Sequence, residues 1–173
     1  MTQFVALLRN IGPATHGKMP LGKLAEACAA AGLDDVVSVG NTGNLIFATG
    51  KSQAEAEVIV TAAVKRFGLD NEAFTRTRRQ IQMLVSAAPF ADAATDHPGQ
   101  LTVCFFHKTP AWPKAYLDYQ GPARLLTFSN HLVVDYAGPV AGSKLTVEKT
   151  AAARMTQRNW STVLKIAARL GID

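Results

Sequence analysis

The segment that begins at Thr156 concentrates residue types that bind anions. If a helix begins after Thr156, its free N–H groups and positive dipole end lie beside Arg158 and Asn159, and such helix starts attract phosphate or carboxylate groups. The alternative is structural: the same residues begin a C-terminal helix anchored by Trp160, with the arginine paired to an acidic side chain. Caps and arginine ion pairs are common in folded domains, so the pattern alone leaves both interpretations open.

A second group of polar residues lies on loops in the first half of the chain. Arg9 directly follows an apolar run that predicts a buried strand, and Lys18 lies on the far side of a loop with glycine and proline. One cation on each side of such a loop can clamp an anion. Neighbouring positions add the donors Asn10, Thr42 and Asn44. The alternative for the asparagines is conformational, because Asn tolerates positive φ and bonds its local backbone.

The net charge favours an anionic partner. The chain has 173 residues, with 18 Lys and Arg against 13 Asp and Glu, so the formal net charge is +5. Residues 144–173, including Lys144, carry six basic and two acidic side chains. A basic surface permits nucleotide or nucleic-acid binding. However, the predicted strands lack the aromatic-rich segment with which RNA-recognition sheets stack bases, so a local anion site is favoured over a broad nucleic-acid surface.

Sequence signatures of catalysis are missing. The chain has no P-loop, no Rossmann glycine fingerprint, no His-Glu-x-x-His and no Gly-x-Ser-x-Gly. Its four histidines lack the short spacings of a zinc site. Cys28 and Cys104 lie in apolar stretches and are expected to be reduced core residues. We therefore expect no cofactor and no metal, and whether the protein is an enzyme stays open.

Two runs of strands and helices must position these residues. Residues 1–78 predict the order β-α-β-β-α-β, the split βαβ arrangement of ferredoxin-like folds, with a capping box at Ser52. Residues 79–173 predict α-β-α-β-β-α-α, an echo of the first half without its final strand. One of these helices runs from Pro110 to about Tyr119. The expected fold is α+β, with two tandem ferredoxin-like halves packed as one compact unit.

The C-terminal helix is predicted to run from Thr156 to about Leu170. Helical spacing places apolar residues on one buried face and basic residues towards the other side. The strand containing Phe105 and Phe106 is apolar throughout, so these rings are expected in the core. The predicted buried face of the helix consists of Trp160, Val163, Leu164 and Ala167.

Several segments together resemble a known family. They are Ala6-Leu7-Leu8-Arg9-Asn10-Ile11, Lys18-Met19-Pro20-Leu21-Gly22-Lys23-Leu24, Thr42-Gly43-Asn44-Leu45-Ile46-Phe47 and Gln157-Arg158-Asn159-Trp160-Ser161-Thr162-Val163. In this order they resemble the uncharacterised bacterial domain-of-unknown-function family 1697, from Gln3 to Leu170. The resemblance implies a cytoplasmic α+β protein of two ferredoxin-like halves. It implies no reaction or ligand, because the function of the family is not established.

The leading hypothesis is a cytoplasmic protein that binds an anionic ligand: a nucleotide, a phosphate-bearing metabolite or a nucleic acid. One alternative is a small enzyme acting on a phosphorylated or carboxylated metabolite at the same groups. Another is a self-association module, in which a sheet edge pairs with a second copy to form a homodimer. The N-terminus lacks a basic leader and no apolar run approaches a bilayer span, so we expect no membrane partner. The candidate ligand-binding residues are Arg9, Asn10, Lys18, Thr42, Asn44, Lys144, Thr156, Arg158 and Asn159.

Overall fold

The computed structural model describes residues 1–112 and 114–172. Helices accompany two four-stranded antiparallel sheets, so the predicted α+β class is confirmed. The ferredoxin-like description of each half stays a prediction. The predicted helix from Pro110 to Tyr119 includes residue 113, and the predicted second half includes residues 113 and 173, both of which lie outside the described residues. None of the helices in the described ranges combines the length and apolar character needed to cross a membrane.

Backbone proximity divides the chain into two units. The first contains Met1–Met83 together with residues 165–172, and the second contains Leu84–Leu164. The C-terminal segment is tied into the first unit by Arg78, whose Nε and Nη2 donate to the carbonyls of Leu170 and Gly171 at 2.8 and 2.6 Å. The domain boundary predicted after residue 78 stays a prediction.

The first unit is built around an apolar central strand. Its four strands are all antiparallel, in the spatial order Asp34–Val39 (β2), Asn44–Thr49 (β3), Thr2–Leu8 (β1) and Ala73–Thr77 (β4). The Ser52 capping box is confirmed, because Ser52 and Glu55 exchange side-chain to backbone hydrogen bonds at the start of the third helix. The elements are β1 (Thr2–Leu8), α1 (Pro13–Lys18), α2 (Leu21–Ala30), β2 (Asp34–Val39), β3 (Asn44–Thr49), α3 (Gln53–Lys65), β4 (Ala73–Thr77) and α4 (Arg78–Ser86).

Both faces of the first sheet are buried. Since residues paired across antiparallel strands share a face, Phe4 and Phe47 lie on the side where Leu24 and Val60 of the helices complete a hydrophobic core. The two phenylalanine rings stack with centroids 5.6 Å apart. The opposite face carries side chains that are at most 5% exposed, namely Val5, Leu7, Ile46, Phe74 and Arg76.

The second unit repeats this strand arrangement. Its four strands are again antiparallel, in the spatial order Arg124–Phe128 (β6), His131–Asp135 (β7), Leu101–Phe106 (β5) and Met155–Asn159 (β8). Phe105 and Phe106 are buried in the central strand, as predicted. The elements are α5 (Ala91–Asp96), β5 (Leu101–Phe106), α6 (Lys114–Leu117), β6 (Arg124–Phe128), β7 (His131–Asp135), a 3₁₀ turn (Val140–Gly142), α7 (Val147–Ala151), β8 (Met155–Asn159) and the first half of α8 (Trp160–Arg169), whose residues from Lys165 onward belong to the first unit.

The predicted helix from Thr156 is wrong at its start, because residues Met155–Asn159 form β8. Thr156 and Arg158 are buried while the residues between and after them are exposed, so burial alternates with the period of a strand. Pairing with β5 holds the segment extended, with Thr156 opposite Phe105. The second sheet therefore has a final strand, which the predicted fold of residues 79–173 lacked.

The helix α8 begins at Trp160 and buries a slightly different face from the predicted one. Trp160, Val163 and Ala167 are buried, as predicted. Leu164 is 42% exposed, so its placement on the buried face was wrong. Ile166 takes part in the buried face instead, since it lies three residues after Val163 and one residue before Ala167.

Candidate functional site

The first unit contains a cavity of about 640 Å³ beside the loop that follows β1. The loop and α1 form one wall, and the turn between β2 and β3 forms another. The start of α2 contributes the rest of the lining. Lining residues that bear on its chemistry are Ile11, His16, Leu21, Ser38 and Asn41. We call this cavity the first-loop groove.

A glycine allows the two walls of the groove to meet. Gly43 has a φ of +74°, a left-handed conformation that favours glycine. A Cβ at this position would lie 2.5 Å from Cγ1 of Ile11, so a side chain there would push the loop away. The backbone N–H of Leu8 also donates to the Gly43 carbonyl at 2.8 Å. The end of β1 and the β2–β3 turn are therefore held together at the groove.

The predicted donors Thr42 and Asn44 stabilise the turn. Asn44 is fully buried, and its Nδ2 donates to the Val39 carbonyl at 2.9 Å and to Thr42 Oγ1 at 3.0 Å. Both hydrogen bonds lie within the β2–β3 hairpin and stabilise its turn. This geometry supports the conformational alternative for Asn44 and gives Thr42 an internal role as an acceptor.

The predicted residues Arg9 and Asn10 lie on the loop that Asn71 fixes. Asn71 Nδ2 donates to the carbonyls of Arg9 and Asn10 at 2.9 and 3.1 Å. The Arg9 N–H donates to the Glu72 carbonyl at 2.8 Å, and Asn10 has a φ of +58°. Sequence reasoning missed Asn71, because no local pattern marks a loop residue that acts 62 positions away.

The predicted cation Lys18 ends α1, two residues after His16. Lys18 is exposed and His16 is half-buried. Within the described part of the chain, neither side chain makes a hydrogen bond or ion pair. Cations in the last turn of a helix interact favourably with its negative dipole end. His16 lines the groove, and the exposed Lys18 two residues later in α1 does not.

The other predicted residues belong to the second unit and serve local structure. Arg158 is 7% exposed, and its Nη1 donates to Thr156 Oγ1 at 2.9 Å and to the Gln157 carbonyl at 2.7 Å. Burial lowers the pKa of Arg158 to about 10. Asn159 Oδ1 accepts from the Thr162 N–H at 2.9 Å, so Asn159, and not Thr156, caps α8. These residues lie in β8 and at a helix start.

Lys144 lies apart from β8. It is exposed and lines a second cavity, of about 400 Å³, together with Tyr116 and Tyr119. The structure therefore divides the nine predicted residues between the two units: Lys144 lines the second cavity, whereas the described lining of the first-loop groove contains none of the nine. Among the described residues, no group of three or more His, Cys, Asp or Glu side chains is arranged to hold a metal ion.

Comparisons with known proteins agree with this architecture. The family model described as Protein of unknown function (DUF1697) matches residues 1–119. No curated protein matches the chain significantly. A solved structure that resembles the chain is the conserved bacterial protein SP0830 from Streptococcus pneumoniae, with a TM-score of 0.71, 17% identity and 99% of each chain covered. At this identity the likeness shows the fold alone.

Proposed function

The chain belongs to the DUF1697 family of proteins of unknown function, as its motifs predicted, and from its own residues we propose that it binds a small anionic metabolite in the first-loop groove. The ligand class is a phosphate-bearing or carboxylate-bearing small molecule. One observation carries the proposal: a cavity of about 640 Å³ with His16 in its wall and no acidic residue among the described residues that line it.

The size of the groove supports a small molecule. Ligand cavities in proteins commonly have volumes of about 300–1,000 Å³. The first-loop groove falls within that range. A nucleic acid would instead require an extended cationic track along its phosphates.

The charge near the groove supports an anion. Lys18 and His16 lie in the last turn of α1 without a described partner. Ser38 and Asn41 line the opposite wall and add neutral hydrogen-bonding groups. A ligand with a phosphate or carboxylate would find a cation at one side and donors at the other.

The fixed backbone around the groove supports a preformed site. Gly43, Asn44 and Asn71 hold the loop and the turn through the contacts described above. Loops that are ordered before binding lose less conformational entropy when a ligand arrives. Enzyme activity, self-association as a homodimer and a cytoplasmic location stay predictions.

Thermal unfolding with a panel of anions tests the proposal. Phosphate, phosphosugars and dicarboxylates at millimolar concentration are expected to raise the melting temperature by mass action. Lys18→Ala is expected to weaken the best anion about fivefold, the effect of losing roughly 1 kcal/mol of charge pairing. His16→Ala is expected to act in the same direction.

Lys23→Ala is the matched control. Lys23 is an exposed lysine of α2 whose Nζ pairs with Glu26 at 2.9 Å and which is not among the lining residues of the groove. Its removal is expected to leave anion binding unchanged. Equal losses in Lys18→Ala and Lys23→Ala, or no stabilisation by any anion, would refute the proposal.

A further inference from the structure

The cavity of the second unit has a different chemistry from the first-loop groove. Its volume is about 400 Å³, and two tyrosines, a lysine and two threonines are among its lining residues. We propose that it is a second binding site, which takes a planar aromatic ring that carries one anionic group. Tyr116, Tyr119, Lys144, Thr146 and Thr150 line this cavity.

Aromatic side chains are concentrated around this cavity. The chain has three tyrosines, and all of them, Tyr116, Tyr119 and Tyr136, pack in or against the core of the second unit. Trp112 joins them, with its ring centroid 6.3 Å from that of Tyr116. Tyrosine and tryptophan rings prefer offset-stacked or edge-on contacts with other rings. A planar aromatic ligand would therefore make the most favourable contacts with this wall.

Tyr116 is fixed as part of the wall. It is 5% exposed, and its hydroxyl donates to the Val147 carbonyl at 2.5 Å. Burial raises the pKa of Tyr116 to about 12, so the ring is neutral at ordinary pH. The hydroxyl is engaged with the start of α7, and this bond fixes the position of the Tyr116 ring in the wall.

Tyr119 forms another part of the cavity wall. It is half-buried and lies against Gly121, where a Cβ would be 2.1 Å from the Tyr119 hydroxyl oxygen. Any side chain at Gly121 must therefore displace the ring. The glycine gives the tyrosine its present position beside the cavity.

Lys144 determines the expected charge of the ligand. It is exposed, and it makes no hydrogen bond or ion pair within the described part of the chain. The described lining residues include no aspartate or glutamate that would neutralise it. Thr146 and Thr150 add hydroxyls beside it. A carboxylate or phosphate on the ring would pair with the ammonium group and accept hydrogen bonds from the hydroxyls.

Direct titration with four probes tests the inference. Phenyl phosphate and benzoate combine ring and charge, phenol has the ring alone, and inorganic phosphate has the charge alone. Isothermal titration is expected to give dissociation constants for the first two at least about tenfold lower than for the last two, since each part contributes to binding. Phenol binding as tightly as phenyl phosphate would overturn the inference.

Substitutions assign the binding to this cavity. Lys144→Ala is expected to weaken phenyl phosphate about tenfold and to leave phenol unchanged, because only the anionic group meets the lysine. Lys149→Ala removes an exposed lysine of α7 that does not line the cavity, and it is expected to have no effect. Equal effects of the two lysine variants would contradict the site.

Two further variants separate this site from the first-loop groove. Gly121→Ala is expected to weaken both phenyl phosphate and phenol several-fold, because it displaces the Tyr119 ring. In the Lys18→Ala background, where anion binding in the first-loop groove is already weakened, Lys144→Ala is still expected to weaken phenyl phosphate about tenfold. Loss of phenyl phosphate binding in Lys18→Ala but not in Lys144→Ala would place the probe in the first unit and refute the second site.

Discussion

The two sheets share one strand order, but the helices that cover one face of each sheet differ. In the first unit, α2 and α3 have 10 and 13 residues and contribute aliphatic side chains such as Leu24 and Val60 to the core. In the second unit, α6 and α7 have 4 and 5 residues, and Tyr116 and Tyr136 enter an aromatic core. Short helices cover less of a sheet, and the tyrosine-lined cavity lies beside them. The sheet is the repeated part of this protein, and the helices are the part that differs.

The repetition extends to a buried arginine in the fourth strand of each sheet. Arg76 lies opposite Val5, and Arg158 lies opposite Val103, with both valines in the central strands. In each case Nη1 donates to the carbonyl of the preceding residue at 2.7 Å. Burial lowers the pKa of both guanidinium groups to about 10. The shared position indicates that the buried cation is a feature of the sheet and not of either helix layer.

Core truncations should show the largest difference between the layers. Leu24→Ala removes a fully buried side chain of α2 and is expected to lower the free energy of unfolding by about 3 kcal/mol. Leu145→Ala removes a half-buried side chain that lines the cavity of the second unit, and a cost of about 1 kcal/mol is expected because water can fill the space. Urea unfolding measures both values. Equal costs would show that the second layer is as tightly packed as the first.

The next largest effect concerns Arg76. Arg76→Leu is expected to cost about 2 kcal/mol, because Glu57 loses a cation that interacts with it within a buried environment. Glu57 also accepts from the N–H and hydroxyl of Thr75 at 3.0 and 2.8 Å, so it stays anchored beside the gap. A double-mutant cycle with Glu57→Gln, followed by urea unfolding, is expected to recover about 1 kcal/mol. Strict additivity would show that the two charges are independent.

Local signals in the sequence predicted a large part of the first unit. Ser52 and Glu55 match a capping box, and the structure contains both of its hydrogen bonds, at 3.3 and 2.8 Å. Apolar runs such as the one ending at Leu8 predicted the buried strands. These signals succeed because the interacting groups lie within one turn or one strand of each other.

Long-range contacts explain what the sequence did not predict. Thr156 carries a helix-start signal, but pairing with Phe105 in β5, about 50 residues earlier, keeps its segment extended. Asn71 fixes the loop at Arg9 across a similar separation. The candidate residues were recognisable by type, whereas their division between two units depends on the tertiary structure.

An acidic cluster of the second unit should give a smaller, pH-dependent effect. Arg124 Nη2 bonds both Asp135 and Asp92 at 2.7 Å. Burial alone would raise the pKa of Asp135, but hydrogen bonds from Arg124 and from the Ala137 N–H lower it below its ordinary value. The ionised carboxylate therefore stabilises the fold above about pH 4, and this contribution is lost as the pH falls through the folded pKa.

Asp135→Asn tests this cluster. The substitution is expected to cost about 1.5 kcal/mol at pH 7, because the guanidinium loses a buried charged acceptor. Urea unfolding at pH 7 and pH 3 should show the difference from the wild type shrinking at the lower pH. In the first unit, Glu26→Gln breaks the exposed pair with Lys23 and is expected to change stability by less than about 0.5 kcal/mol. A pH-independent cost of Asp135→Asn would contradict the electrostatic explanation.

The smallest expected difference between the units concerns the N-terminal caps of α4 and α8, the helices that directly follow β4 and β8. Thr77 accepts from the Gln80 N–H at 3.1 Å, and the Gln80 side chain accepts from the Thr77 N–H at 2.8 Å. At the equivalent position of the second sheet, Asn159 accepts from the Thr162 N–H at 2.9 Å. Thr77→Ala and Asn159→Ala are each expected to cost about 1 kcal/mol in urea unfolding, since each removes one cap acceptor.

The two caps differ in what remains after substitution. Gln80→Ala is expected to cost a further few tenths of a kcal/mol, because it removes the reciprocal bond that completes the capping box. Thr162→Ala leaves the backbone donor of the Asn159 cap in place, so a near-neutral effect is expected. A larger cost for Thr162→Ala than for Gln80→Ala would mean that the second helix start depends on the threonine side chain. In that case the two units would share their strand arrangement but would cap the following helices differently.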